Sequence, residues 1–200
     1  MPSSHSSASP IDSTSVGDPA RFRTLADLER GLAALTAIPA NRGRVALIVC
    51  RCVENGRREL PDRIALAPDS GVPGDAWERR PGRDPAMQLA VMQHDVAELI
   101  ANGQPLVLFG DNLFVDLDLS TRNLPLGSRV RAGGVILEVT PAPHNGCRKF
   151  RARFGDEALR FVSSPSLRSR NLRGIYLRVV AAGEVACGDA VEVLSRALPG

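Results

Sequence analysis

The segment PHNGCRKF, residues 143–150, places a thiol, Cys147, between His144 and the basic pair Arg148 and Lys149. Pro141, Pro143 and Asn145-Gly146 predict a turn just before it, and turn residues reach solvent more often than strand centres do. Positive charge favours thiolate over thiol, and the thiolate is both the nucleophile and the soft metal ligand. Spacing alone leaves two readings open. Cys147 is either a reactive or metal-ligating group, or a packed or solvent-facing thiol without a role.

The other candidates are weaker. Cys50 and Cys52 are two apart in an expected strand, so they share one face. With Cys187 and a histidine they could bind zinc, but the second closely spaced ligand pair of a structural zinc site is missing. Packing accounts for all three. His94 beside Asp95 suits an ordinary helical histidine. Asp111 and Asn112 follow Gly110 at a turn entering a strand; turn chemistry explains both, and the functional reading makes them polar lining of a pocket. Arg170, Arg173 and Gly174 could hold an anion, since arginine forks match phosphate, or could be a solvated strand end. There is no Gly-x-Ser-x-Gly elbow, P-loop or Gly-x-Gly-x-x-Gly fingerprint.

These groups need a scaffold. Thr24 with Asp27 predicts a capped amphipathic helix bearing Leu25, Leu28, Leu32 and Leu35. RVALIVCRCV, residues 44–53, reads as a strand, and Asn55-Gly56 as a hairpin turn into a second strand near residues 58–67. Residues 69–84 read as a long charged surface loop, a place where function often sits. Asp84 and Pro85 predict a helix start, with Leu89, Met92, Val96 and Leu99 as its apolar stripe and Asn102-Gly103 as its end. From Pro105 on, PLVLF, NLFVDLDL, RVRAG, VILEVT, RKFRARF, LRFV, IYLRVV and VEVL read as short strands separated by turn residues. That spacing predicts a mainly β fold, a barrel or sandwich, without the βαβ alternation of a Rossmann or TIM layout.

Composition bounds the answer further. At 200 residues, 44% hydrophobic and 24% charged, the chain suits one globular domain. A net charge of +3 and no interleaved aromatic and basic stretch give no case for nucleic acid. No apolar run approaches a membrane span, so no membrane association is expected. Residues 1–20 read as a disordered polar tail with no secretory signal, residues 21–43 as a helical extension, and residues 44–196 as the barrel domain. Reduced thiols and a cytoplasmic location follow from that expectation.

Four segments in order resemble the MOSC domain, named for the C-terminal domain of molybdenum cofactor sulfurase. They are GVPGDAW (71–77), LFGDNLFVDLDLSTRNLPLGSRVRAGGVILEVT (108–140), PHNGCRKF, and NLRGIYLRVVAAGEVACGDAVEV (171–193). The resemblance implies a MOSC-like β-barrel with a few peripheral α-helices. It matches Cys147 to the family's characteristic cysteine, which carries sulfur or ligates molybdenum in a pterin cofactor. It matches Asp111 and Asn112 to the acid-Asn pair near the cofactor pocket. Some stand-alone members take part in reducing N-hydroxylated compounds. His144, Arg148 and Arg173 become candidate cofactor contacts, and Cys147 the catalytic and metal residue. The implied partners are molybdopterin or a small-molecule substrate, and a redox or sulfur-donor protein. Two features depart from the family. Residues 77–88 lack the His-Gly-Gly stretch of many stand-alone members, and 200 residues leave no room for a pyridoxal-phosphate domain. The rival reading is a non-catalytic binding module that keeps the barrel without the chemistry.

Overall fold

The computed structural model describes residues 11–12, 14–51 and 56–196. In chain order the elements are α1 (Leu25–Ala34), β1 (Arg42–Ile48), β2 (Cys50–Arg51), β3 (Arg58–Glu59), β4 (Arg63–Leu66), β5 (Leu89–Gln93), α2 (His94–Ala101), β6 (Leu113–Val115), β7 (Arg129–Ala132), β8 (Val135–Val139), α3 (Arg148–Val162), β9 (Ile175–Ala181), β10 (Gly183–Ala186) and β11 (Ala190–Ser195). Seven strands close into a barrel in the order β1-β11-β7-β8-β9-β5-β6, and β6 pairs back onto β1. Two small sheets, β4 with β10 and β2 with β3, flank it. The fold is mainly β with peripheral helices, as the strand pattern and the resemblance predict.

Each barrel strand sends alternate side chains to opposite faces. Leu113 and Val115 of β6 and Val91 of β5 enter the core inside the barrel. Phe114 and Met92 point outward into a second core, where Leu28, Ile100, Phe154 and Phe161 from the three helices cover them. Burying each such side chain contributes about 1.5–3 kcal/mol. α1 forms as its capping pattern predicts, with the Thr24 hydroxyl accepting from the Asp27 amide at 3.2 Å.

The structure corrects several expectations. The helix expected after Asp84 is a 3-10 turn (Pro85–Met87), then β5, then α2. β5 is buried on both faces, so it lacks the alternation that marks a half-exposed strand, and its apolar residues mimic a helical stripe. β5 also runs parallel to β6, with α2 as the crossover, so one βαβ unit is present where none was expected. PLVLF contains a 3-10 turn (Leu106–Leu108) rather than a strand. RKFRARF and LRFV are α3, broken at Gly155 (φ 89°); Phe150, Phe154 and Phe161 face the outer core at helical spacing. The first long strand divides into β1 and β2, and Cys52 and Asn55 lie outside the described residues.

The tail expected to be disordered through residue 20 takes defined structure in its second half. Ile11 packs against the outer core, the Gly17 amide donates to Ala152 O at 3.1 Å, and the Asp18 amide donates to Gln104 Oε1 at 2.8 Å. Residues 1–10 lie outside the described residues. No helix among the described residues is long and apolar enough to cross a membrane.

Candidate functional site

The loop from Thr140 to Gly146 leaves β8 and enters α3. Pro141 and Pro143 offer no amide to a ladder, so strand pairing stops. Cys147 is the N-cap residue of α3, and its side chain makes no capping hydrogen bond. Its backbone carbonyl instead accepts from the Arg151 amide at 3.0 Å. Cys147, Arg148 and Lys149 are exposed.

His144 anchors this loop. Its side chain is 6% exposed, with Nε2 3.5 Å from Asp111 Oδ1, and its ring lies 4.4 Å from the Tyr176 ring. Nδ1 is buried without a hydrogen-bond partner. It lies against Gly174, where an added Cβ would come within 3.2 Å of it. Burial, reinforced by the Arg173 guanidinium and only partly offset by Asp111, pushes the imidazole pKa down to about 3. His144 is therefore neutral at physiological pH.

Asp111 is fully buried. Arg173 Nη1 donates to both its carboxylate oxygens, at 2.9 and 2.8 Å. Arg173 also sits 5.3 Å over the Phe150 ring, and its Nε is buried without a partner. Asn112, equally buried, belongs to a neighbouring network. Its side-chain oxygen accepts from the Ala90 amide at 3.2 Å and from Arg51 at 3.3 Å. Its side-chain nitrogen donates to Asp75 at 3.2 Å. Arg51 closes the circuit with Nε bonds of 3.1 and 3.0 Å to Asp75. Asp111 and Asn112 thus lie behind the wall of the site, not on its surface.

That wall encloses a cleft of about 890 Å³. Arg51, Arg58, Arg79, Arg80, Arg153 and Arg173 line it together with Lys149, His144 and Cys147, and no Asp or Glu does so among the described residues. Tyr176 supplies a partly exposed aromatic ring, whereas Phe109 and Phe150, though in the lining, are buried in the outer core. Arg58 is held by the carbonyls of Val107 and Leu108, and burial beside Arg153 and Arg51 lowers its pKa to about 10. Burial and the Asp111 carboxylate raise the Tyr176 phenol, against Arg173 and Arg51. Among the described residues, Arg80 and Lys149 have no ion-pair partner. Such a surface favours an anionic ligand with a flat ring.

Of the residues expected at the site, Cys147, His144 and Arg173 line one cleft, whereas Arg148 and Arg170 do not. His94 sits elsewhere, at the start of α2, 3.1 Å from Asp116. Cys50 is half-buried against the barrel core, and Cys187 is exposed, near Pro61 O. Sequence reasoning missed Arg51, Arg58, Arg153 and Tyr176. Only Arg79 and Arg80 carried a signal, their place in the charged loop 69–84.

The family model for the MOSC domain matches residues 76–192. The chain belongs to the MOSC domain family. Solved structures with a similar fold include YiiM from Escherichia coli, at 22% identity and a TM-score of 0.53, covering 78% of this chain and 71% of that one. The YuaD protein from Bacillus subtilis aligns at 19% identity and a TM-score of 0.52, over 76% and 95% of the two chains. A hypothetical protein aligns at 20% identity and a TM-score of 0.55, over 78% and 69%. At these identities the likeness is one of fold. A comparison with curated proteins gave no match. The MOSC match covers the cleft residues from Ala76 to Tyr176, Cys147 included, and leaves Arg51, Gly56 and Arg58 before it.

Proposed function

We propose that this MOSC protein binds molybdopterin in the Cys147 cleft, with the Cys147 thiolate as the protein ligand to molybdenum. One observation carries the reading: an exposed thiol opens onto a cleft lined by six arginines and a lysine, with no acidic side chain among the described residues. The residues present fit the group. Arg58, Arg153, Arg80 and Lys149 would hold its phosphate, and Tyr176 would flank the flat pterin. Arg173 keeps an unpartnered Nε in the same wall. When bound, the cofactor supplies redox chemistry at molybdenum. The chain's own part is to neutralise the anion, orient the ring and present the thiolate. The pair Asp111 and Arg173 and the anchor His144 hold that surface in place.

Metal analysis and pterin fluorescence of protein purified from a molybdenum-replete host test the reading. Wild type is expected to carry both in near-equal amounts, and Cys147→Ala to lose molybdenum. Wild-type protein with neither sinks it. The exposure of Cys147 also suits a sulfur carrier, in which the thiolate holds a sulfane sulfur for transfer. One extra sulfur atom on Cys147 by mass, without molybdenum, would favour that role. Protein with neither cofactor nor extra sulfur, and with an inert Cys147, would leave the barrel as a binding module.

A further inference from the structure

A second cleft, of about 790 Å³, lies beside the first and shares Pro143, His144, Asn145 and Arg173 with it. The loop that carries Cys147 into the first cleft therefore forms a wall of both. Leu126, Val139 and Ile175 are among its apolar lining residues. Leu126 is left 56% exposed, a cost that a covering apolar group would offset. Arg168, Thr121 and Ser163 are among its polar lining residues. Arg168 is exposed and has no side-chain partner among the described residues. No acidic residue lines the cleft among the described residues.

Apolar lining in one cleft with an unpaired cation and hydroxyls is complementary to one class of ligand. We infer that the second cleft binds an amphipathic organic anion, a small molecule with a carboxylate or sulfonate head and an apolar body. The head lies at Arg168, where a planar fork matches a carboxylate. The body lies on Leu126, Val139 and Ile175. Burying that body stabilises the complex at about 25 cal/mol per Å² of apolar surface removed from water. The shared wall sets the ligand directly behind the Cys147 loop. Naming that ligand the substrate rests on the cofactor reading; the binding itself does not.

The test uses the full chain without metal or pterin, so its result is independent of the cofactor outcome. The probe is octanoate, an anion with an apolar body and no flat ring, followed by isothermal titration calorimetry. Saturable binding is expected. Arg168→Gln and Leu126→Glu are each expected to weaken binding at least about tenfold, the loss of one ion pair or one apolar contact surface. Arg80→Gln and Cys147→Ala, in the first cleft, are expected to change it less than about twofold. Melting temperatures show that each variant is folded; both second-cleft side chains are exposed, so their replacement leaves the core intact. Absence of saturable binding overturns the proposal. So does weakening by Arg80→Gln without weakening by Arg168→Gln, which would place the anion in the first cleft.

Discussion

Arg173 clasps Asp111 with one nitrogen, Nη1 lying 2.9 and 2.8 Å from the two carboxylate oxygens, at a site where Asp111 has no contact with solvent. Both partners are out of water, so neither can find a substitute if the other is removed. Asp111→Asn is therefore expected to destabilise the fold by about 3–5 kcal/mol, the cost of an uncompensated buried charge. Asp116→Asn, which breaks the partly exposed pair with Arg44, should cost under about 1 kcal/mol. Urea denaturation of the two variants checks the contrast, and similar losses would refute it.

His144 makes stability depend on pH. Its folded pKa of about 3 lies below the ordinary value of 6.5. Between these values the unfolded chain binds a proton that the folded chain does not, so stability falls as pH falls below 6.5. The groups facing it are Asp111, Arg173, Arg51 and Tyr176. The slope is at most about 1.4 kcal/mol per pH unit. Denaturation midpoints between pH 7 and 5 should decline in wild type and stay flatter in His144→Gln; parallel curves would count against this assignment.

Reagent charge should separate the thiols. Cys147 and Cys187 are both exposed, but only Cys147 lies in the cationic cleft. The dianionic reagent DTNB should prefer Cys147 over Cys187 more strongly than neutral iodoacetamide does. Added salt should erase the difference by screening. Mass mapping of the labelled sites reads this out; equal preference for both reagents would remove the electrostatic account of the cleft.

Gly174 has no room for a side chain. Its φ is +95°, and an added Cβ would lie 2.3 Å from Val91 O and 3.2 Å from His144 Nδ1. Gly174→Ala should cost about 1–3 kcal/mol through backbone strain alone, with more from the clash. A thermal melt within a degree of wild type would contradict this geometry.

The segment before α1 is expected to matter for stability. Ser15 O accepts from Arg153 Nε at 3.1 Å, and Arg153 lines the cleft. Deleting residues 1–21 should lower the melting temperature and weaken anion binding in that cleft. Unchanged melting and binding would show that the segment only rests on the surface.

Much of this was legible in the chain. Turn residues at regular intervals marked the barrel, because exposed turns need Gly, Pro, Asn and Asp for local backbone reasons. Cys147 was legible as a turn thiol for the same reason. β5 was not, because burial on both faces removes the polar half of the strand pattern. α3 was misread because Phe150, Phe154 and Phe161 alternate with arginines at a spacing that short windows cannot assign. The cleft arginines were hidden by their separation in sequence. Arg51, Arg58 and Arg153 meet only through the packing of β2, β3 and α3, and a composition rich in arginine gave no reason to single them out.

The barrel closes through β1, which pairs with β6 on one side and with β11 on the other. Its second partner, β11, begins only at Ala190, long after β1 ends at Ile48. At roughly 5–20 residues per second, the ribosome leaves β1 with an open edge for on the order of ten seconds. Through that interval the Arg42, Gly43 and Arg44 stretch is an unsatisfied strand template, and its two arginines keep like-charged nascent chains apart. The cleft shares this timing. α3 supplies Arg153, and β9 with the residues just before it supplies Tyr176 and Arg173; all emerge after β6, so no anion can be gripped in full until β9 has left the ribosome.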